Sequence, residues 1–284
     1  MSNGLDLTGR IALVTGGGTG IGLILARSFA KNGAKVYITG RRLEVLEKTA
    51  AEESSYGFVP LQMDITDKES VQKAITMIGE KDRKLDILVN NAGISGPTFP
   101  FIVDRSSPEH KTMGESLFTQ FSFDQWTDVL KTNTIAPFFV TMGFLSLLQR
   151  GAESREGETS SVINISSGAG TTNLSLTSFA YGVSKAGINH LTSMMATEFA
   201  LSKIPVRVNC IAPGLFPSQM GNPFADADNR VSQPMPGGLL PVPAGRIGKE
   251  SEIGTAAVFL ASSAGEYTNG IVMLIDGGHN LVNP

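Results

Sequence analysis

Residues 10–22, RIALVTGGGTGIG, decide the fold. Ile11, Ala12, Leu13 and Val14 form an apolar run with no alternation, which is how a strand buried on both faces of a parallel sheet reads. The run passes directly into Gly16-x-x-x-Gly20-x-Gly22, and the following LILARSFAKNG has helical spacing. Glycines at such a turn let backbone approach a pyrophosphate without Cβ clashes, and the helix start presents unpaired N–H groups to the anion. The turn alone reads either as a tight strand-to-helix connection or as a dinucleotide cradle. Its place, after the first strand and at the head of the first helix, is the one the cradle requires.

Working outward, strand-like and helix-like runs alternate as far as Ile275 without a linker, so residues 1–284 are expected to form one α/β domain: a doubly wound parallel sheet with helices on both faces. The second strand, KVYIT at 35–39, ends in Gly40-Arg41-Arg42. A carboxylate at this strand end suits the ribose 2′-hydroxyl of NAD, whereas a guanidinium suits a 2′-phosphate, so Arg41, with Arg42 as a second candidate, favours NADP(H). A third strand, FVPLQMDIT, reaches Asp64, which is either a turn residue or an acceptor for an adenine amino group. Thr66 to Glu69 reads as a capping box for the next helix. The fourth strand, LDILVN, leads to Asn90-Asn91-Ala92-Gly93, either a plain turn or a backbone wall beside the cofactor.

Residues 94–126 form a long inserted loop carrying Phe99, Phe101, Phe118, Phe121 and Phe123. It reads equally as a surface flap packed by its own aromatics or as a lid over an apolar substrate pocket. Ser122 to Gln125 is a second capping box, opening a long helix in which Asn133 lies near Pro137. Proline disturbs the hydrogen-bond ladder there, and Asn133 either fills the break or holds a water. The greasy run at 135–148 is too short and interrupted to span a bilayer.

Tyr181 and Lys185 stand four apart in a run of helical periodicity, so both leave one face of a helix. An ammonium beside a phenol favours the phenolate, and a tyrosine so tuned can pass a proton near neutral pH. Ser167, at the end of the strand VINIS, could hydrogen-bond a carbonyl oxygen from the carboxyl edge of the sheet. Cys210, the single cysteine, lies in an apolar strand and reads as a packing residue.

With 41% hydrophobic and 17% charged residues the chain can bury a sizeable core, and a net charge of −3 argues against a grip on nucleic acid or anionic membrane. The amino terminus has no apolar signal core. A cytoplasmic location is expected, and no metal site is expected.

Taken together, TGGGTGIG at 15–22, Asp64, NNAG at 90–93, Asn133, Ser167, YGVSK at 181–185, PG at 213–214 and DGG at 276–278 resemble the short-chain dehydrogenase/reductase superfamily over nearly the whole chain. The resemblance implies a Rossmann-type fold and a catalytic set of Asn133, Ser167, Tyr181 and Lys185, with Ser167 rather than Ser166 as the serine. Tyr181 would give its proton to the substrate oxygen, Lys185 would lower the Tyr181 pKa and hold the nicotinamide ribose, and Asn133 would anchor a relay water. It implies cofactor contacts at Gly16, Thr19, Gly20, Ile21, Arg41, Arg42, Asp64, Ile65, Asn91, Ala92, Gly93, Pro213, Gly214 and Ser218, besides Tyr181 and Lys185. Thr19 replaces the second basic residue usual in the glycine turn, and Ser218 replaces the usual threonine after PG. Residues 215–248, rich in Pro, Gly and Met, are expected to be a substrate loop. The segments IAPGLFPSQM, INISSGAG and AYGVSK are similar to those of 3-oxoacyl thioester reductases of the rhamnolipid type. The expected activity is NADPH-dependent reduction of an apolar or 3-oxoacyl ketone. Alternatives are an NAD(P)-dependent alcohol or sugar dehydrogenase, or a secondary-metabolite enzyme using the pocket for non-redox chemistry. Family members commonly form tetramers, so a homotetramer or homodimer is expected, with a small-molecule carbonyl compound as substrate.

Overall fold

The computed structural model describes residues 4–102, 104, 106–176, 178–217, 229–231 and 239–284. Seven parallel strands form one sheet in the order β3-β2-β1-β4-β5-β6-β7. They are β1 (Ile11–Thr15), β2 (Lys35–Gly40), β3 (Val59–Gln62), β4 (Ile87–Asn90), β5 (Ser160–Ile165), β6 (Val206–Pro213) and β7 (Val272–Ile275). The chain winds one way from β1 to β3 and the other way from β4 to β7. The order therefore reverses between β1 and β4, and a crevice opens outside their carboxyl ends.

The unalternated first strand is buried throughout because it faces two cores. Ala12 and Val14 join one side with α1 (Gly20–Lys31) and α8 (Glu250–Ala261), in contact with Ile24, Phe29 and Val258. Ile11 and Leu13 join the other, with α3 (Lys68–Lys81), α6 (Ala136–Glu153) and α7 (Phe179–Leu201), through Ile78, Phe144 and Phe199. Beneath the crevice, buried amides tie strand to strand and to helix: Asn90 Nδ2 donates to Asn164 Oδ1 at 2.9 Å and to Thr141 Oγ1 at 3.0 Å, and Asn164 Nδ2 donates to Thr192 Oγ1 at 2.9 Å. Each of these buried amides has its partners, as burial demands.

The capping box expected at Thr66 is not formed. Asp67 is the N-cap, accepting from Glu69 N at 2.9 Å, because the Thr66 hydroxyl donates to Asp64 Oδ1 instead. The box at Ser122 and Gln125 is present and opens α5 (Phe123–Leu130). One turn of π-helix, Lys131–Ile135, separates α5 from α6 and contains Asn133, with Pro137 in the first turn of α6. Proline lacks an N–H to continue the α ladder, and widening by one residue passes its ring.

Residues 94–126 are not loop throughout. They include α4 (Met113–Gln120), and Phe99, Phe101 and Ile102 form a small core with Met113, Leu117 and Phe121. Strong helix formers in MGESLFTQ favour that helix, and the aromatic spacing conceals it. Among the described residues, Phe123–Glu153 is the one helical run long and apolar enough to cross a membrane, and half of its most apolar window is buried in the fold.

Candidate active site

Each wall of the crevice starts from a local rule of chain geometry. Gly16 has φ +65°, and a Cβ there would lie 3.1 Å from Ala92 Cα; a Cβ on Gly22 would lie 2.3 Å from Gly16 O. Only glycine permits this packing of helix against turn. Thr19, the N-cap of α1, is extended and its side chain makes no capping bond, so the helix start faces the crevice unsealed. Thr15 Oγ1 donates to Val89 O at 3.1 Å and accepts from Asn91 N and Ala92 N at 2.9 and 3.1 Å. The Asn91 amide donates to Thr15 O at 2.9 Å, so the NNAG turn is pinned to β1 and contributes backbone rather than a free amide.

The cavity, about 550 Å³, is lined by Gly16, Thr19, Gly20, Ile21, Arg41, Arg42, Asp64, Ile65, Asn91, Ala92, Gly93, Ser166, Tyr181 and Lys185 among others. Arg41 and Arg42 are exposed at one end. Asp64 accepts from Thr66 N and Oγ1 at 2.9 and 2.8 Å. Burial raises the carboxyl's pKa, but the Thr66 bonds outweigh it, aided by the charges of Arg41 and Lys131, and the net direction is down. Asp64 is thus both the turn residue and an anion at the crevice wall.

At the opposite end stand Tyr181 and Lys185. Ser178 caps α7 by accepting from Tyr181 N at 3.3 Å, which fixes where the helix begins. The Ser167 side chain sits beside the Tyr181 phenol and favours its charged form, and Ser167 caps the turn Gly168–Gly170 by accepting from Ala169 N at 3.2 Å. Ser166 is engaged elsewhere, donating to Lys185 O at 3.0 Å, so it braces α7 against β5. Lys185 is buried, and its Nζ donates to Ile165 O at 2.9 Å and lies 5.5 Å from the centre of the Tyr181 ring. Burial lowers the ammonium to about 8. Burial also raises the Tyr181 phenol above its ordinary value, and the Ser167 side chain works in the other direction. The expected lowering by Lys185 is therefore corrected: the ammonium is directed at a main-chain carbonyl, and the neighbour that favours the phenolate is Ser167.

Asn133 is buried behind this end. Its Oδ1 accepts from Ile94 N at 2.9 Å, and its Nδ2 donates to Ile94 O at 2.8 Å and Ser184 Oγ at 3.0 Å. Both amide hydrogens are engaged, so the side chain braces the chain after β4 against α7. Ser167, Asn133, Pro213 and Gly214 are not in the cavity lining. Pro213 pairs with Ile275, and a Cβ on Gly214 would lie 2.7 Å from Asp276 Cα, so PG and DGG are packed on each other. Ser218 and much of the expected substrate loop lie outside the described residues; Val231, Val242 and Ile247 from its remainder form a small core. Cys210 is buried, which pushes its thiol up to about 11, as a packing residue requires.

Sequence reasoning missed Thr39, Met63, Asp128, Lys131 and Thr132, which also line the cavity. Thr39 Oγ1 is buried without a hydrogen-bond partner, the one such side-chain atom among the described residues. Its place at a carboxyl strand end is the signal that could have singled it out. The steric need for glycine at two positions, the unsealed helix start and this orphaned hydroxyl all fit a dinucleotide.

The sequence matches the family described as short chain dehydrogenase over residues 10–229. The chain belongs to that family. It is an oxidoreductase of the short-chain dehydrogenase type, and the relatives below are similar over more than nine-tenths of their lengths. A short-chain dehydrogenase/reductase from Byssochlamys spectabilis, VdtF, is 40% identical across 96% of this chain and 93% of its own. The rhamnolipids biosynthesis 3-oxoacyl-[acyl-carrier-protein] reductase of Pseudomonas aeruginosa is 35% identical across 97% of this chain and 98% of its own. Among solved structures, the RhlG/NADP active-site complex from Pseudomonas aeruginosa superposes with a TM-score of 0.80 at 33% identity, covering 99% of this chain and 100% of that one.

Proposed function

We propose that this chain is an NADPH-dependent reductase of a ketone of apolar or 3-oxoacyl type. The observation that carries the reading is the pair Tyr181 and Lys185, one turn apart on α7 with Lys185 Nζ 5.5 Å from the phenol ring and both lining the dinucleotide crevice, with Ser167 beside the phenol. A guanidinium in place of a carboxylate beyond Gly40 supports NADP(H), as does the NADP bound by the structurally similar RhlG. The 3-oxoacyl class is supported by the reductase from Pseudomonas aeruginosa.

When bound, NADPH supplies the hydride that reduces the carbonyl carbon. The Ser167 hydroxyl donates to the carbonyl oxygen and orients it toward Tyr181. Tyr181 transfers its phenolic proton to that oxygen as charge develops there, and a proton from solvent restores the phenol. Ketone, NADPH and one proton thus become alcohol and NADP⁺. The raised pKa keeps Tyr181 protonated at neutral pH, the form a general acid needs. Lys185, charged below about 8 and buried one turn from Tyr181, would hold a ribose hydroxyl of the nicotinamide cofactor.

Phe99, Phe101 and Phe121 are turned into their own small core, which supports the reading of residues 94–126 as a flap packed by its aromatics. Apolar side chains left exposed on α6 and α7, including Phe138, Phe139, Val183 and Met194, support assembly into a dimer or tetramer. Fluorescence titration with NADPH and NADH, followed by oxidation of NADPH against a panel of ketones including 3-oxoacyl thioesters, tests the reading. Tighter NADPH binding with turnover is expected. Preference for NADH, or binding with no turnover of any panel member, contradicts it.

A further inference from the structure

The turn that carries Ser167 is held from outside by the carboxyl-terminal segment. Asn280 Nδ2 donates to Gly168 O at 2.9 Å and to Thr171 Oγ1 at 2.7 Å, and Thr171 Oγ1 itself donates to Gly168 O at 3.0 Å. The two residues thus close a ring of hydrogen bonds on the carbonyl that follows Ser167. Asn280 is placed by Asp276, whose carboxylate accepts from Asn280 N at 2.8 Å and from Gly278 N at 2.9 Å. The fit is close: a Cβ on Gly168 would lie 3.3 Å from Asn280 Oδ1.

Three positions on, buried Asn283 extends the same clamp. It accepts from Leu240 N at 2.8 Å and donates to Leu240 O at 3.0 Å, while its own carbonyl accepts from Thr172 Oγ1 at 3.0 Å. One short segment therefore grips the Ser167 turn with Asn280 and ties it to Leu240 with Asn283. Without Asn280, Gly168 O keeps Thr171 Oγ1 and the N–H groups of Thr171 and Thr172, all from its own stretch of chain, and Asn189 Nδ2 on α7 still donates to Gly170 O. Asn280 is the side chain that ties the Ser167 end of the turn to the carboxyl-terminal segment, and its loss lets Ser167 shift relative to Tyr181, where a misplacement of about 1 Å lowers the rate steeply.

We infer that Asn280 is a positioning residue of the active site, holding the Ser167 turn so that the serine hydroxyl stays facing Tyr181, with Asn283 coupling that turn to the segment at Leu240. The inference rests on the proposed roles of Ser167 and Tyr181, and its test does not need turnover. The chain has four tyrosines, so labelling with tyrosine carrying ¹³C at Cζ gives four resonances, with that of Tyr181 assigned from Tyr181→Phe. Ser167→Ala defines the direction in which the Tyr181 resonance moves when the serine hydroxyl is lost. Asn280→Asp, which removes the amide donor at nearly constant shape, and Asn280→Ala should each move the Tyr181 resonance in that direction. Tyr37, Tyr56 and Tyr267 should stay in place. With acetoacetyl-coenzyme A as probe, kcat should fall roughly 10- to 100-fold in both Asn280 variants, and the NADPH dissociation constant should not change. An unmoved Tyr181 resonance in both folded variants overturns the inference, whatever the rate does. So does movement of all four resonances together, which marks a general loss of structure. Movement confined to Tyr181 with no reduction of the probe in the unsubstituted enzyme upholds the positioning role and counts against the 3-oxoacyl reading alone.

Discussion

Tyr181 and Lys185 pull the pH dependence in distinct ways. Burial raises the phenol, so the acid needed for ketone reduction persists through neutral pH and is lost only well into the alkaline range. Burial lowers Lys185 to about 8, so its charge disappears first as pH rises. Ketone reduction should therefore fall with an apparent pKa near 8 in kcat/KM, which reports the free enzyme; a profile level to pH 10 would contradict the role given to Lys185. At the other end of the crevice, Arg41→Ala should weaken NADPH by about 1.5–3 kcal/mol, as expected for a hydrogen bond to a charged group, and leave NADH binding unchanged. Titration of both nucleotides checks it. The types and spacing of Tyr181, Lys185 and Arg41 were legible in the sequence because each acts through neighbours close along the chain. The direction of the Tyr181 shift was not, since it depends on how deeply the fold buries the hydroxyl. Nor was the role of Asn133, whose partners Ile94 and Ser184 are 39 and 51 residues away.

Among the elements, the β1–turn–α1 unit leaves no room for a side chain at Gly22. A Cβ on Gly22 would meet Gly16 O at 2.3 Å, and that obstacle is backbone, so Gly22→Ala must push the helix off the turn. It should lower stability by about 1–3 kcal/mol and weaken nucleotide binding, measured by denaturant unfolding and by titration. The unit was readable from sequence because a buried strand, a glycine turn and a helix leave separate signatures. The π turn before α6 was only half readable: Pro137 announces a disturbed ladder, but nothing local says that it is relieved by one extra residue per turn at Lys131–Ile135. Helix α4 was hidden by the phenylalanines around it, whose partners in the small core are set by tertiary contact.

Across the whole molecule, the order β3-β2-β1-β4-β5-β6-β7 places the crevice at the β1/β4 reversal and sets both helical layers beneath it. Alternation of strand-like and helix-like segments predicts that architecture, while the clamp from residues 280 and 283 onto the Ser167 turn joins parts of the chain more than 100 residues apart and leaves no local signal. Phe144, fully buried between α6 and the sheet, tests how far the layer supports the site: Phe144→Ala should cost about 3–5 kcal/mol. The central claim is that this short-chain dehydrogenase passes a proton from Tyr181 to a carbonyl oxygen while NADPH is consumed. The most direct measurement is stopped-flow single turnover of NADPH with acetoacetyl-coenzyme A, comparing the unsubstituted enzyme with Tyr181→Phe after NADPH affinity has been measured for each. The account predicts equal affinity and a rate at least about 100-fold lower in the variant; equal rates at equal affinity would contradict it.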